Sequence, residues 1–438
     1  MPNDPSNAKA AAAASLLAQL QPRAAGWGAQ WHARQHGYAL DSAFQPVLSI
    51  THQRVVGYEA LLRVTDESSH PVAPADLFAS VEGAEAQQLD ELARCLHLAN
   101  FVAQGVETGW IFLNTLPRSA RAADPAQAAI DGLCRHFDFP RERVVIEVLE
   151  QRGGDEYSSF VDERPPAGRR DFLVALDDFG AGFSNFDRVW RYRPDIVKLD
   201  RSLVTRATRG ESHVAFISEL VSILHHAGTM VLAEGVETES QLMVLMQADV
   251  DLVQGFWFGE PQASIPEAGA AAAALAQSMW RRFADYQRST EIIEQVNFGA
   301  LSHTMLCGAR VLTGGGTLKA AAEAIFGDGG SHAQRVFSAD EHGEQHEPSI
   351  AMPGVGPPAR LAPFYPDTDS NWSRREYFRR ALAAPGRVAV MGPHYSLNDG
   401  ELCYTAAIAL DYGGATHVLC ADFPPEHGPR ERPWSERG

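Results

Sequence analysis

Short apolar runs, each closing on or beside a polar residue, recur along the first part of the chain. They are Gln45–Ile50, Val55–Leu62, Ile111–Asn114, Val144–Val148, Phe172–Asp177, Asp195–Leu199, Met230–Glu234 and Asp251–Gln254. Runs of this length, bounded by turn residues, predict eight β-strands. Most are separated by stretches long enough for a crossover helix, such as Glu91–Ala103 and Ala215–His226. The alternation predicts parallel β/α units, and eight of them in about 220 residues match a (β/α)8 barrel. The first gap departs from this rule, because only Thr51–Arg54 lies between the first two runs. A parallel crossover needs about a dozen residues, so these two strands are expected to pair as an antiparallel hairpin.

The barrel is assigned to residues 41–262. Residues 1–40 read as an N-terminal leader: a polar start, a short helix over Ala8–Leu20, and a turn-rich Gly26–Gly37 stretch. The leader is expected to be partly disordered or to pack on the barrel. Residues 263–300 place Trp280, Phe283 and Ile292 on helical spacing and predict a long linker helix. The rest, 301–425, reads as a smaller α+β domain. It has a helix over Ser373–Leu382 and strands over Val388–Tyr395, Cys403–Asp411 and His417–Phe423. Asn398-Asp399-Gly400 and Gly413-Gly414 are the hairpin signals between those strands. Residues 426–438 read as a disordered tail.

Composition narrows the class. The chain has 438 residues, is 45% hydrophobic and 21% charged, and carries a formal charge of −18. That is a globular balance. The acidic sign argues against a nucleic-acid polymer as partner. It leaves a small anionic ligand open, because a bound metal inverts the local field. No apolar run reaches the roughly 18 residues of a membrane span, and no secretion signal is visible. Five scattered cysteines without a CxxC pair suit a reducing compartment, so a cytoplasmic protein is expected.

Candidate chemistry gathers at the strand ends. Glu59 lies in GYEALLR, with Arg63 after it; Asn114 ends IFLN; Glu147 lies in VVIEVLE, before Glu150. Asp177 and Asp178 end FLVALDDFG, Lys198 lies in DIVKLD, Glu234 and Glu237 lie in LAEGVE, and Gln254 ends LVQGF. Each alone reads equally well as a helix cap or a solvated face. Together they fall near the C-terminal strand ends, which a barrel brings to one face. Carboxylates converging there repel one another and call for cations. All-oxygen ligands favour Mg²⁺ or Mn²⁺ over zinc. The Asp177–Asp178 pair suits two ions, as in phosphodiester hydrolysis by two metals.

The runs EALLR, FLNTLP, IEVLE, LDDFGAGFSNF, PDIVKLD, LAEGVE and QGFWFGEP, in this order, resemble those of the EAL-domain cyclic di-GMP phosphodiesterases. The resemblance implies a modified TIM barrel with an antiparallel first strand. It also implies hydrolysis of cyclic di-GMP to linear pGpG by a two-metal Mg²⁺ or Mn²⁺ site that Ca²⁺ inhibits, in a homodimer. Carried over, Glu59, Asn114, Glu147 and Asp177 would hold one ion. Asp177, Asp178 and Glu234 would hold the second ion and its water. Lys198 would bind and activate that water, Glu234 is a candidate general base, and Gln254 completes the site. Gln45 and Arg63 would contact substrate, Glu237 would support the site, and Glu150 would anchor the loop after the Asp pair. That loop departs from the family pattern, with Ala181 and Phe183 where a threonine and a tyrosine are usual. The departure keeps open a cyclic di-GMP receptor with little turnover.

In the last third, NWSRREYFRRAL and VLCADF resemble the Cache/PAS-like sensory superfamily. The resemblance implies an unknown small ligand held by Trp372, Arg375, Tyr377 and Asp411, and regulation of the barrel. The same aromatic residues read equally as ordinary core.

Overall fold

The computed structural model describes residues 13–25, 28–116, 125–148, 172–181, 186–209, 211–327, 332–354, 367–396 and 402–424. The chain divides into two compact units, one reaching to Phe283 and one starting at Ala284.

In the first unit, β1 (Gln21–Ala25) and β2 (Gly28–Gln35) form an antiparallel hairpin that pairs onto β3 (Tyr38–Ser49). Part of the stretch read as a leader is therefore a sheet extension. Asn100 clamps it: its Oδ1 accepts from Trp31 N at 2.6 Å and its Nδ2 donates to Trp31 O at 2.9 Å. The clamp joins groups 69 residues apart, so no local pattern in the sequence shows it.

The barrel consists of β3, β4 (Arg54–Thr65), β6 (Trp110–Thr115), β7 (Val144–Val148), β8 (Leu173–Phe179), β9 (Ile196–Leu199), β10 (Met230–Ala233) and β11 (Leu252–Val253). A short β5 (Pro71–Val72) lies beside β4. All eight expected runs are strands, and the barrel closes through β3 pairing with both β4 and β11. Both of those pairings are antiparallel, while β4 and β6 through β11 run parallel. The four-residue gap that forbade a crossover thus fixes the direction of the first strand.

The barrel interior has two layers. The lower is apolar: Val47, Phe112, Val145, Ala175, Ile196, Leu232 and Leu252 form one cluster. Residues two apart on a strand share a face. Two residues further along therefore come Asn114, Glu147, Asp177, Lys198, Glu234 and Gln254. On β3 the step is reversed, because that strand runs the other way, and Gln45 lies two residues before Val47. On β4, Gly57 takes the lower layer below Glu59. A Cβ there would lie 2.9 Å from both the Phe112 ring and the Trp110 carbonyl oxygen.

Outside the barrel, the helix Ala84–Ala103 buries Leu89, Leu92, Leu96 and Phe101 in one core with Leu40, Phe44 and Tyr58 of β3 and β4. Each such fully buried side chain is worth about 1.5–3 kcal/mol. The helix Ile265–Thr313 runs 49 residues, past the expected end at 300. It continues because Leu301, Met305, Ala309 and Leu312 keep the helical spacing and enter the core of the second unit. It stops at Gly314–Gly316, where Gly316 N donates back to Val311 O at 2.9 Å.

The second unit is a five-stranded antiparallel sheet. Its strands are β12 (Arg335–Asp340), β13 (Ile350–Ala351), β14 (Val388–Tyr395), β15 (Leu402–Tyr412) and β16 (Ala415–Phe423), in the order β13-β12-β16-β15-β14. Alternation divides its faces. Val336, Ala406, Ile408, Leu419 and Ala421 join the long helix and the helix Leu318–Gly327. Phe337, Ala407, Ala409, Val418 and Cys420 join Trp372, Tyr377 and Phe378, the last two on the helix Glu376–Ala383.

Candidate functional site

Lys198 is the centre of the upper layer. Its ammonium lies 2.6 Å from Glu147, 2.7 Å from Glu234, 3.0 Å from Asp177 and 3.8 Å from Glu59. Lysine and Glu147 are sealed from solvent, at 1% and 0% exposure. Burial pulls the Lys198 pKa down, but the surrounding carboxylates, Asp177 first, hold it well above the ordinary range. Glu147 is pushed up, first by burial and then by the Glu59 charge. Burial raises Glu234 to about 8. Burial also acts upward on Glu59, yet the Lys198 charge and hydrogen bonds from Gln254 and Asn114 hold it below the usual value.

Two side-chain amides hold Glu59. Asn114 Nδ2 donates to its Oε1 at 3.1 Å, and Gln254 Nε2 donates to its Oε2 at 2.6 Å. The same Gln254 amide reaches Gln45 Oε1 at 2.9 Å, and Gln45 Nε2 donates to Gly259 O at 3.1 Å. Gln45 and Glu59 are direct partners in the β3–β4 ladder.

Asp177 and Asp178 pose a geometric problem, since consecutive strand residues point to opposite faces. The β8–β9 pairing breaks register between Leu176 and Phe179, and Asp178 takes the left-handed φ of 56°. Aspartate tolerates that region better than most residues, and a bulge re-aims its side chain. As a result, carboxylate oxygens of Asp177, Asp178 and Glu234 lie within 4.8 Å of one another.

The pocket over this cluster has a volume of about 270 Å³. Sequence reasoning singled out neither Arg201 nor Phe256, which line it together with Leu61. Arg201 directly follows the quoted PDIVKLD run, and Phe256 lies within LVQGF and QGFWFGEP, after Gln254-Gly255. Arg201 pairs with Glu237 at 2.8 Å, which brings Glu237 to the pocket rim. Arg63 is not in the cluster; it lies further along β4, with its Nη1 on the Leu62 carbonyl at 3.1 Å. Glu150 and Phe183 lie outside the described residues, while Ala181 donates its backbone N–H to Asp178 O at 3.1 Å.

The residues fit divalent cations. Glu59, Glu147, Asp177, Asp178 and Glu234 are five carboxylates against one ammonium. Glu147 Oε2 is buried without a hydrogen-bond partner among the described residues. An orphaned carboxylate oxygen in an all-oxygen donor set is what a hard cation satisfies.

In the second unit, Trp372 and Tyr377 meet around Arg335. The guanidinium lies 4.3 Å from the Phe337 ring centre and 5.7 Å from that of Trp372, and it bonds Asp422 at 2.7 and 2.9 Å. Tyr377 stacks on His394 at 5.8 Å, and Thr405 Oγ1 donates to Asp422 Oδ1 at 2.6 Å. Asp411 does not join them. It is exposed at the end of β15, facing Thr416 across the hairpin, and accepts from that hydroxyl at 3.3 Å. The carboxylate that reaches the aromatic cluster is Asp422, on the Val418–Cys420 face of β16. Arg375 precedes the helix Glu376–Ala383, half-buried.

The fold and this site define a (β/α)8-barrel protein with a lysine-centred acidic cluster at the C-terminal strand ends. Residues 31–261 match the EAL domain, more than half of the chain, and the chain belongs to the EAL domain family. Among curated relatives, the cyclic di-GMP phosphodiesterase RocR of Pseudomonas aeruginosa is 29% identical over 132 residues, 30% of this chain and 34% of that protein. The blue light- and temperature-regulated antirepressor BluF of Escherichia coli is 24% identical over 220 residues, 50% of this chain and 53% of that protein. The chain thus spans between a third and about half of the length of these relatives. The crystal structure of Bacillus subtilis YkuI, with an EAL domain, in complex with substrate c-di-GMP and calcium, superposes with a TM-score of 0.72 at 18% identity. It covers 88% of this chain and 96% of that one, so the likeness of fold extends beyond the barrel. No helix among the described residues is long and apolar enough to cross a membrane.

Proposed function

We propose that this chain is a metal-dependent phosphodiesterase that hydrolyses cyclic di-GMP to linear pGpG under control of its C-terminal unit. The observation that carries this reading is the sealed Glu147–Lys198 pair with Glu59, Asp177, Asp178 and Glu234 around it. Glu59, Asn114, Glu147 and Asp177 would hold one Mg²⁺ or Mn²⁺, and Asp177, Asp178 and Glu234 the second. Bound there, the ions would supply Lewis acidity and an acidified water.

The remaining work belongs to this chain's own groups. Lys198 donates hydrogen bonds to a non-bridging phosphate oxygen or to the attacking water, and its fixed charge favours the charge that builds in the transition state. Glu234, 2.7 Å from Lys198 and beside Asp177 and Asp178, is placed to accept the water proton. Gln254 keeps Glu59 and Gln45 aligned by its two bonds. Gln45, with Arg63, faces substrate, and Glu237 steadies Arg201. Net reaction is addition of one water across one P–O bond of the cyclic diester.

A homodimer is part of the reading. Phe186, Trp190, Phe216 and Ile223 on two barrel helices are 43–75% exposed and offer apolar surface for it. In the C-terminal unit, the ligand-responsive element would be the Trp372–Tyr377–Arg335–Asp422 cluster, a Cache/PAS-like sensory arrangement. A cytoplasmic location accords with the free cysteines among the described residues.

The second reading, a cyclic di-GMP receptor with little turnover, rests on Ala181 and Phe183 in the sequence of the loop after the Asp pair. One experiment separates the two: turnover of cyclic di-GMP by the purified protein with Mg²⁺ or Mn²⁺, followed by chromatography. The enzyme yields pGpG, and activity is lost with chelator, with Ca²⁺ and in Glu59→Ala. Retention of intact nucleotide without turnover sinks the enzyme reading and leaves the receptor.

A further inference from the structure

We propose that the barrel face opposite the acidic cluster holds a second binding site, for a small planar aromatic anion. The site is a pocket of about 480 Å³ below the apolar layer, where β4, β6, β10 and β11 begin. Pockets that take small molecules measure about 300–1,000 Å³. Barrel chemistry belongs to the other face, so the reaction above makes no use of this space.

The floor is apolar. Val56, Trp110 and Met230 pack against the lower cluster while staying partly open, and Leu252 belongs to that cluster. Trp110 meets Phe112 edge-on, with ring centres 6.3 Å apart and planes at 76°. The indole is thus set by its neighbour, and an aromatic ligand covering its open surface gains burial and ring contact. Gly109, also in the lining, puts no side chain into the space. Its φ of 110°, and the 3.2 Å that a Cβ would leave to Val56 O, favour glycine there.

One wall is the β3–β4 hairpin, which is tied down on several sides. Ser49 Oγ lies 2.8 Å from His52 Nδ1 and accepts from His52 N at 3.3 Å. Ile50 N donates to Asp251 O at 3.1 Å, and Trp280 Nε1 of the long helix donates to Ile50 O at 2.7 Å. A wall so anchored needs little ordering when a ligand arrives.

Charge decides the ligand class. Arg54 and Asp251 carry the fixed charges among the described lining residues. Asp251 is engaged: its Oδ2 lies 2.9 Å from His225 Nε2 and accepts from Val231 N at 2.7 Å. The Arg54 guanidinium has neither a hydrogen bond nor an ion pair among the described residues. A guanidinium fork is suited to grip a carboxylate or phosphate bidentately. Arg54 and an indole floor in one pocket select a ligand that is aromatic and anionic at once. An aromatic carboxylate and a nucleoside monophosphate share this chemistry.

The test is calorimetric titration of the full chain, in chelator, with 2-naphthoate and with 5′-GMP. Without metal the acidic cluster repels anions, so binding reports the lower face. At least one of the two is expected to bind at one site per chain, and the tighter one tells which source the pocket suits. 2-Naphthalenemethanol and inorganic phosphate, each with half of the chemistry, should bind at least about tenfold more weakly. Arg54→Gln is expected to lower the affinity about tenfold to a hundredfold, the scale of a hydrogen bond to a charged group. Trp110→Leu should also lower it, and Trp110→Phe should keep most of it. Arg54 is exposed, so its variant tests the site even where a Trp110 variant fails to fold. Arg201→Gln, which alters the upper pocket, should leave the affinity unchanged. Absence of binding by both anions overturns the proposal. So does equal binding of the neutral alcohol, unaltered affinity in Arg54→Gln, or a loss in Arg201→Gln.

Discussion

Lys198 Nζ lies 2.6 Å from Glu147 Oε1, with both side chains closed off from water. The same ammonium offsets the charges of Asp177, Glu234 and Glu59 beside it. Removing the cation while keeping the anions leaves buried negative charge unpaired, which costs about 3–5 kcal/mol. Lys198→Met is expected to lower Tm sharply in chelator and to recover part of the loss in saturating Mn²⁺. Glu147→Gln is expected to act the other way, raising Tm in chelator while weakening the Mn²⁺ stabilisation. Thermal melts with and without metal check both signs.

His97 supplies a pH dependence away from the cluster. It is buried, its Nδ1 is 2.8 Å from Ser42 Oγ, and burial, with the Arg63 charge adding, pushes its pKa down to about 3. A depressed base stays neutral in the folded state, so its stability is present above the ordinary value of 6.5 and is lost as pH falls toward 3. The slope is about 1.4 kcal/mol per pH unit in that window. Denaturant melts between pH 7 and 4.5 should show a shallower decline for His97→Gln than for the unaltered protein.

The left-handed Asp178 makes a split prediction. Asn shares aspartate's tolerance of positive φ, so Asp178→Asn should keep stability within about 0.5 kcal/mol while Mn²⁺ affinity and turnover fall. Asp178→Val loses the metal ligand and also strains the bulge, adding a cost of about 1–2 kcal/mol. Parallel melts and Mn²⁺ titrations distinguish the two; equal stability of both variants would contradict the bulge account.

In the second unit, Arg335 is bonded twice by Asp422. Arg335→Met strands that carboxylate in the core, with an expected cost of about 3–5 kcal/mol. Scanning calorimetry should show the metal-insensitive transition moving down while the Mn²⁺-sensitive transition of the barrel stays in place.

Much of this arrangement can be read in the sequence. The eight strands are legible because each is apolar until it meets the site, and the direction of β3 follows from the length of Thr51–Arg54. The β1–β2 hairpin is not legible, because Gln30, Trp31 and His32 carry no strong alternation and their order comes from Asn100, far along the chain. The double use of Asp177 and Asp178 is half legible: the pair is visible, but a plain strand would send the second carboxylate outward. Asp411 and Asp422 show the same limit. Both sit on sheet strands next to apolar runs, and only the ladder register reveals which one ends at a hairpin tip and which lies beside Arg335. Arg201 adjoins a visible motif and Phe256 lies in one, yet nothing local says which of these side chains line the pocket.

The step of two residues from the apolar layer to the polar one bears on how such a barrel can change over generations. One inserted residue within β7 would swap inside for outside, bringing Ile146 to the height of the chemistry and turning Glu147 toward the helices. Length variation is therefore excluded from the strands and displaced into the connecting loops. Substitution in the lower layer remains permissible wherever bulk is conserved, so the upper layer should be nearly frozen while its foundation drifts.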